Sequence, residues 1–449
     1  MDTPAKYTHG PQNLAIGSSS AFNNFLKVLK PYGLSTPRYV VFPILSAIFT
    51  YYLWIVMGLN GAGDELQATL AAGKYADGTP LCASYTGVRP LDQLITVIVA
   101  FEYPVTNGQD KPSWLLMLDI MSTLQTAMIW VFLDSMRKGR STAWFAYPAL
   151  WCCTVNAAGA AVILPLYFWL HLQHRPSEQY IQLWDASPLP TAFLIGGVLP
   201  GLALVTRTLW QLSAIHHQQI IAFVQFSPLL IATIQIVGSS LYPIRNLDIR
   251  RRRTAALPSI QRVLQFGVIF SGLAHLAILG HAAFGAAKLS SIYVPDGNAP
   301  LSASAADKIL EGAKYFLQWD LIGIIVSTGL WCFYMVSELS DINQIQLAVR
   351  LIGGMVLFGP GATTSAVLSW REGHNVAQAE AKRHKYSLGE IETTCERSGE
   401  YGCKSTVKAG ETTVKTEDIR EHSTIMVDYR RIKMDRQMKM RYFHKRIFK

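Results

Sequence analysis

Apolar runs of bilayer-crossing length, separated by short polar turns, dominate the chain. Tyr39–Leu59, Ser113–Leu133, Pro188–Val205, Ile220–Leu241, Val263–Phe284, Tyr315–Val336 and Leu351–Leu368 are the clearest. A helix of roughly 20 apolar residues is what the hydrocarbon core of a membrane requires. Ala143–Leu172 is longer than one untilted crossing, and Pro148 and Pro165 are expected to kink or divide it. Leu91–Val105 is short, carries Glu102 and is stopped by Pro104, so it reads as a partial or re-entrant helix as readily as a full crossing. The pattern predicts an all-α, polytopic transmembrane helical bundle of eight or nine spans. Residues 1–38 form a polar N-terminal segment, 39–370 the helical membrane domain, and 371–449 a basic tail without the apolar periodicity of a packed core.

Composition agrees. Half of the 449 residues are hydrophobic and 16% are charged, against about a quarter charged in soluble domains. The net charge of +10 is uneven: from Arg371 onward, eighteen Lys/Arg face twelve Asp/Glu. A basic tail beside a membrane fits acidic lipid headgroups better than nucleic acid, since no folded face interleaves basic and aromatic side chains. Cys82, Cys152, Cys153, Cys332, Cys395 and Cys403 show no paired spacing, so neither a metal site nor a disulfide framework is expected. No removable signal peptide is expected before the first span. Two basic loops, Arg137–Arg140 and the one containing Arg250–Arg253, both favour the cytoplasm. Three expected crossings lie between them, so either one of these is not a full crossing or the shorter loop lies on the opposite side.

Missing motifs narrow the chemistry. The chain has no Asp-Asp-x-x-Asp or Asn-Asp-x-x-Asp run to hold a Mg²⁺-bound diphosphate, no Walker A loop, no Gly-x-Ser-x-Gly elbow and no His-Glu-x-x-His. What remains is a set of carboxylates at membrane depth: Glu102, Asp119, Asp134 and Asp320. An ionisable group there costs roughly 2.5–3.5 kcal/mol on insertion scales, so it has a partner or a use. Asp134 beside Arg137 reads as an ion pair at a helix end. Asp119 and Glu102 are equally open to structural and chemical roles. Asp320 lies about five residues into its span, after Tyr315 and Phe316, beside Trp319 and before Trp331, which favours a place in an aromatic cavity. His171 and His174 fit a polar-capped interfacial belt better than a metal pair. His216 and His217 read as loop residues, and His275 and His281 as interhelical histidines.

Several stretches resemble the integral-membrane terpene cyclases of fungal meroterpenoid pathways, especially the larger ascofuranone- and macrophorin-type enzymes. They are Pro188-Leu-Pro-Thr-Ala-Phe-Leu-Ile-Gly-Gly-Val-Leu-Pro200, Ala222-Phe-Val-Gln-Phe-Ser-Pro228 leading to Gln235, Leu317-Gln-Trp-Asp320 with Trp331, and the acid-then-basic segment Asp134 to Arg140. The resemblance covers residues from about 39 to 370. Glu102 departs from the pattern, where an apolar or aromatic residue is expected. The resemblance implies a prenylated, farnesyl-type chain on an aromatic or quinone-like head as substrate, no metal and no cofactor. It implies that a buried acid protonates an epoxide or terminal alkene to start a carbocation cascade. Asp320 is then the leading donor, since burial favours the neutral carboxyl. Glu102, Asp119 or His275 would take the final proton, and Trp319, Tyr315, Phe316, Trp331 and His275 would touch substrate. Such an enzyme is expected in the endoplasmic reticulum membrane. A transporter of a lipophilic small molecule is the alternative, because Pro- and Gly-interrupted helices also build midplane binding sites.

Overall fold

Every regular element of the described residues is helical; a lone bridge between Lys74 and Pro80 is the exception. The computed structural model describes residues 37–137, 143–173, 180–205, 212–242, 254–285, 287–337, 339 and 343–397. The first compact unit ends at Val376; from Ala377 onward the description is of helix as far as Arg397.

The first span begins as α1 (Pro37–Thr50) and continues through a π-helical turn at Tyr51–Ile55 to Leu59. α2 (Ala62–Ala72) follows, then a loop tied down by Asp92 at the start of α3 (Arg89–Thr106). The Asp92 carboxylate accepts from the amides of Tyr85, Thr86 and Gly87 at 2.7–3.1 Å. α4 (Lys111–Ser135) is the central helix and is almost wholly buried. Asp110 caps it by accepting from the Ser113 amide at 2.9 Å, satisfying one of the free donors of the first turn. Around it pack α5 (Pro148–Ala158), α10 (Leu257–Ala283), the short α11 (Leu289–Tyr293) and α12 (Ala305–Ser337). Numbered in chain order between them are α6 (Ala160–Gln173), α7 (Leu189–Phe193, continued to Val205 through a π-turn), α8 (Ala214–Val224) and α9 (Ser227–Leu241). α13 (Gln344–Phe358) and α14 (Pro360–Arg397) close the chain.

Five helices among the described residues are long and apolar enough to cross a membrane, or six if α8 and α9, bent by 52°, count as one. That is fewer than the eight or nine expected, and the difference has a cause. Three apolar stretches read as crossings from sequence are interrupted helices. The stretch 143–172 breaks at Gly159, between α5 and α6, and not at its prolines: Pro148 opens α5, and Pro165 sits inside α6. The stretch 351–368 breaks at Gly359, between α13 and α14. Gln225 and Phe226 separate α8 from α9. The compact unit ends at Val376, close to the expected boundary near residue 370, while α14 is helical as far as Arg397, with Arg371 and Glu372 buried. Residues 398–449 of the expected tail lie outside the described residues, as do 1–36.

Both glycine breaks have backbone conformations that side chains resist, φ +92° at Gly159 and +83° at Gly359. Their loose backbone groups are paired. At the first, the Trp54 indole donates to Ala158 O at 3.0 Å and Asp320 accepts from the Ala161 amide at 2.7 Å. At the second, His275 Nε2 donates to Val356 O at 3.2 Å, and Pro360 brings no N–H that would need a partner.

A buried ionic cluster fastens the far end of α4. Arg137 grips Glu372 of α14 through both guanidinium nitrogens, at 2.6 and 3.3 Å, and reaches Asp134 at 3.4 Å. The Tyr167 hydroxyl donates to Asp134 at 2.8 Å, and His171 Nε2 lies 3.2 Å from it. Trp331 donates its indole N–H to His171 Nδ1 at 3.2 Å. An indole only donates, so Nδ1 accepts and the proton of the neutral ring sits on Nε2, facing Asp134. His171 is thus an internal strut and not an interfacial cap; the carboxylate partner that buries it lies on another helix.

Thermal melts of point variants test the glycine break and the ionic cluster. Gly159→Ala forces a strained φ and places a Cβ 2.8 Å from Leu53 and 3.2 Å from Asp320, so it should destabilise by about 1–3 kcal/mol. Gly353→Ala, where a Cβ meets nothing within 4 Å, should not lower the thermal midpoint of the purified protein. Glu372→Gln should cost about 1.5–3 kcal/mol by removing one of the two carboxylates that face Arg137. Combining Arg137→Met with Glu372→Leu should recover most of that loss in the same melts.

Candidate active site

The residues singled out by sequence fall into four places. Tyr315, Phe316, Trp319 and Asp320 share one end of α12, where the i, i+3 and i+4 spacings put side chains of successive turns on neighbouring faces. Asp320 is buried, at 3% exposure. Its Oδ1 holds the amide of Ala161 on the first turn of α6. Gly159 keeps the space beside it clear, since a Cβ there would stand 3.2 Å from Oδ1 and 3.4 Å from the Phe316 ring.

Aromatic rings from three elements gather beside this carboxyl. Phe316 meets Trp54 edge-on at 5.6 Å and Phe101 of α3 at 5.1 Å. Trp319 stacks on Tyr52 with centroids 4.0 Å apart and planes 13° off parallel, and Tyr315 meets Trp319 edge-on. Tyr52 and Trp54 both come from the π-helical turn of the first span, a local widening of a kind frequent at functional sites. Ring faces carry negative potential, so such a cluster suits a transient cation. Sequence reading missed Tyr52, Trp54 and Phe101. The first two look like interfacial anchors at the end of a span; Trp54 is 46% exposed, and its indole reaches the Ala158 carbonyl at the α5–α6 break.

Glu102 follows Phe101 in the chain, is buried, and accepts from Gln225 Nε2 at 3.1 Å. Gln225 is available because it stands at the bend between α8 and α9.

Asp119 and His275 form a separate site. His275 Nδ1 and the Tyr293 hydroxyl each lie 2.9 Å from Asp119 Oδ2, joining α4, α10 and α11. His275 and Tyr293 are the polar residues of an otherwise apolar groove of about 570 Å³. Tyr293 had no signal in the sequence, because α11 is a five-residue helix in a polar connection. Trp331 is elsewhere: it stacks on Phe168 at 4.4 Å in the ionic cluster, about 16 Å along α12 from Asp320 by helical rise.

The CtvD domain matches residues 37–374. The chain is 25% identical to terpene cyclase DEP1 of Alternaria brassicicola, over 73% of this chain and 96% of that protein. It is 26% identical to terpene cyclase alnG of Emericella nidulans (71% and 89%) and 26% identical to terpene cyclase atmA of Aspergillus flavus (77% and 99%). No solved structure matches the chain. The matched domain covers most of the polypeptide, and the chain therefore belongs to the CtvD family of fungal meroterpenoid terpene cyclases.

Proposed function

We propose that this protein cyclises a farnesyl-type chain, carried on an aromatic or quinone-like head, by protonating its terminal epoxide or alkene at Asp320. The observation that carries this reading is a buried carboxyl beside a cluster of rings drawn from separate helices. The Ala161 amide engages Oδ1, so the acidic proton resides on Oδ2. When that proton leaves, the same amide, at a helix N-terminus, stabilises the carboxylate that forms.

With an epoxide, the proton goes to the epoxide oxygen and the C–O bond to the more substituted carbon breaks. That leaves a hydroxyl and a tertiary cation. With an alkene, the proton forms a C–H bond instead. Each following double bond donates its π pair to the cation and closes a ring. The last cation loses a proton to Glu102, which gives an isomer of the starting material. Phe316, Trp54, Phe101 and the Trp319–Tyr52 stack stabilise the passing charge, at about 0.5–2 kcal/mol for each well-placed ring. Proton transfer from a carboxyl asks nothing of a metal. A membrane site, in the endoplasmic reticulum on this reading, suits a substrate that partitions into lipid.

Asp320→Asn separates the chemistry from the structure, because the amide oxygen still accepts from Ala161 while no acidic proton remains. In microsomes given a farnesyl-phenol with a terminal epoxide, this variant should lose activity by about 10²-fold or more at an unchanged melting temperature. Undiminished cyclisation would remove Asp320 from the role. Passage of the same compound across proteoliposomes without product would favour a transporter. Phe101→Leu and Trp54→Leu should leave initiation intact and raise the share of partly cyclised products in the same extracts.

A further inference from the structure

The groove at Tyr293 is not part of the Asp320 site. It lies between α10, α11, α12 and α13, and its α12 wall begins at Leu321 and Ile322, just past Asp320. Its volume, about 570 Å³, falls inside the 300–1,000 Å³ typical of small-molecule sites. The α13 wall includes Ile352 and Val356, which are 66% and 64% exposed. Exposed aliphatic side chains on a helix of a membrane protein face lipid, so the groove opens sideways into the bilayer.

Hydrogen-bond direction fixes what its polar wall can recognise. Val356 O can only accept, so His275 Nε2 is a donor already in use. His275 Nδ1 is engaged with Asp119. The Tyr293 hydroxyl donates to the same carboxylate oxygen. The protons of His275 and Tyr293 are committed to Asp119 and to the Val356 carbonyl, and the phenolic oxygen of Tyr293 keeps its lone pairs. The groove therefore offers an acceptor. A hydroxyl satisfies it; an ether, an ester, a ketone or an epoxide brings no proton and does not.

We infer that this groove is a binding site for the hydroxylated product of cyclisation, its rings among the aliphatic side chains and its hydroxyl donating to Tyr293. The inference rests on the cyclase reading. At the prenyl terminus an epoxide has no proton to give, whereas the alcohol formed by opening it does, so that end of the molecule fits the Tyr293 acceptor only after the reaction. Its lateral mouth is a way out to the membrane.

The test uses the full chain in nanodiscs with a diazirine-bearing bicyclic sesquiterpene alcohol and, in parallel, its methyl ether. The alcohol should label peptides from 321–333 and 348–356, and the ether should label them about tenfold less, the effect of one hydrogen bond. Tyr293→Phe should reduce the alcohol to the level of the ether. Ether labelling at the wild-type level in Tyr293→Phe guards against a fold defect in that variant, and Gly329→Leu, which drives a side chain toward Met355 across the groove, should abolish labelling by both probes. Equal labelling by alcohol and ether, or labelling elsewhere, overturns the inference. So does displacement by ergosterol at lower concentration than by the unlabelled alcohol, which would make the groove a sterol site. Labelling should survive Asp320→Asn. If that variant cyclises normally, the assignment of the acid fails while the labelling result stands on its own.

Discussion

A helix interrupted among apolar neighbours leaves amides and carbonyls that need new partners, and everything distinctive here depends on how they are satisfied. Each unpaired group costs several kcal/mol in hydrocarbon, so broken helices persist there only when other parts of the protein supply partners. At Gly159 the partners are the Trp54 indole and the Asp320 carboxyl; at Gly359 one is the His275 imidazole. Two of the buried ionisable groups therefore act first as backbone caps. Capping also fixes their geometry. Asp320 is held by the Ala161 amide, and His275 has both ring nitrogens engaged, one with the Val356 carbonyl and one with Asp119. The requirement that keeps the breaks stable is the one that preorganises the acid.

The ionisable groups then divide by surroundings. Asp134, Arg137, Glu372 and His171 neutralise one another at the end of α4 and join helices far apart in sequence. Asp119, His275 and Tyr293 join three helices through Asp119 Oδ2, and His275 and Tyr293 line an otherwise apolar groove. Asp320 and Glu102 sit on helices whose rings, Phe316 and Phe101, touch. Among these, the Asp320 site combines a buried carboxyl with ring faces, which is what a reaction passing through cations asks of its walls.

Much of the helical architecture was legible in the sequence, because an apolar run of spanning length is seldom anything but a membrane helix. The rings on α12 were legible for the same local reason: they share a helix with Asp320 at helical spacings. The breaks were not. A glycine in an apolar run looks the same whether the helix passes through it or stops, and only the fit of Leu53, Phe316 and Asp320 around Gly159 decides. Prolines are poor guides here, since Pro165 lies within α6 and the break falls six residues earlier. Partners drawn from distant segments were equally hidden. Ala161 is 159 residues from Asp320, and Tyr293 is 174 from Asp119; no periodicity links them.

The most direct test of the central claim is a structure of Asp320→Asn in nanodiscs with the farnesyl-phenol epoxide bound and unreacted. The epoxide oxygen should lie within hydrogen-bonding distance of the side chain at position 320, with the prenyl terminus against Phe316 and Trp54. An epoxide found instead at the Tyr293 wall of the groove, with position 320 shielded from the ligand, would contradict it.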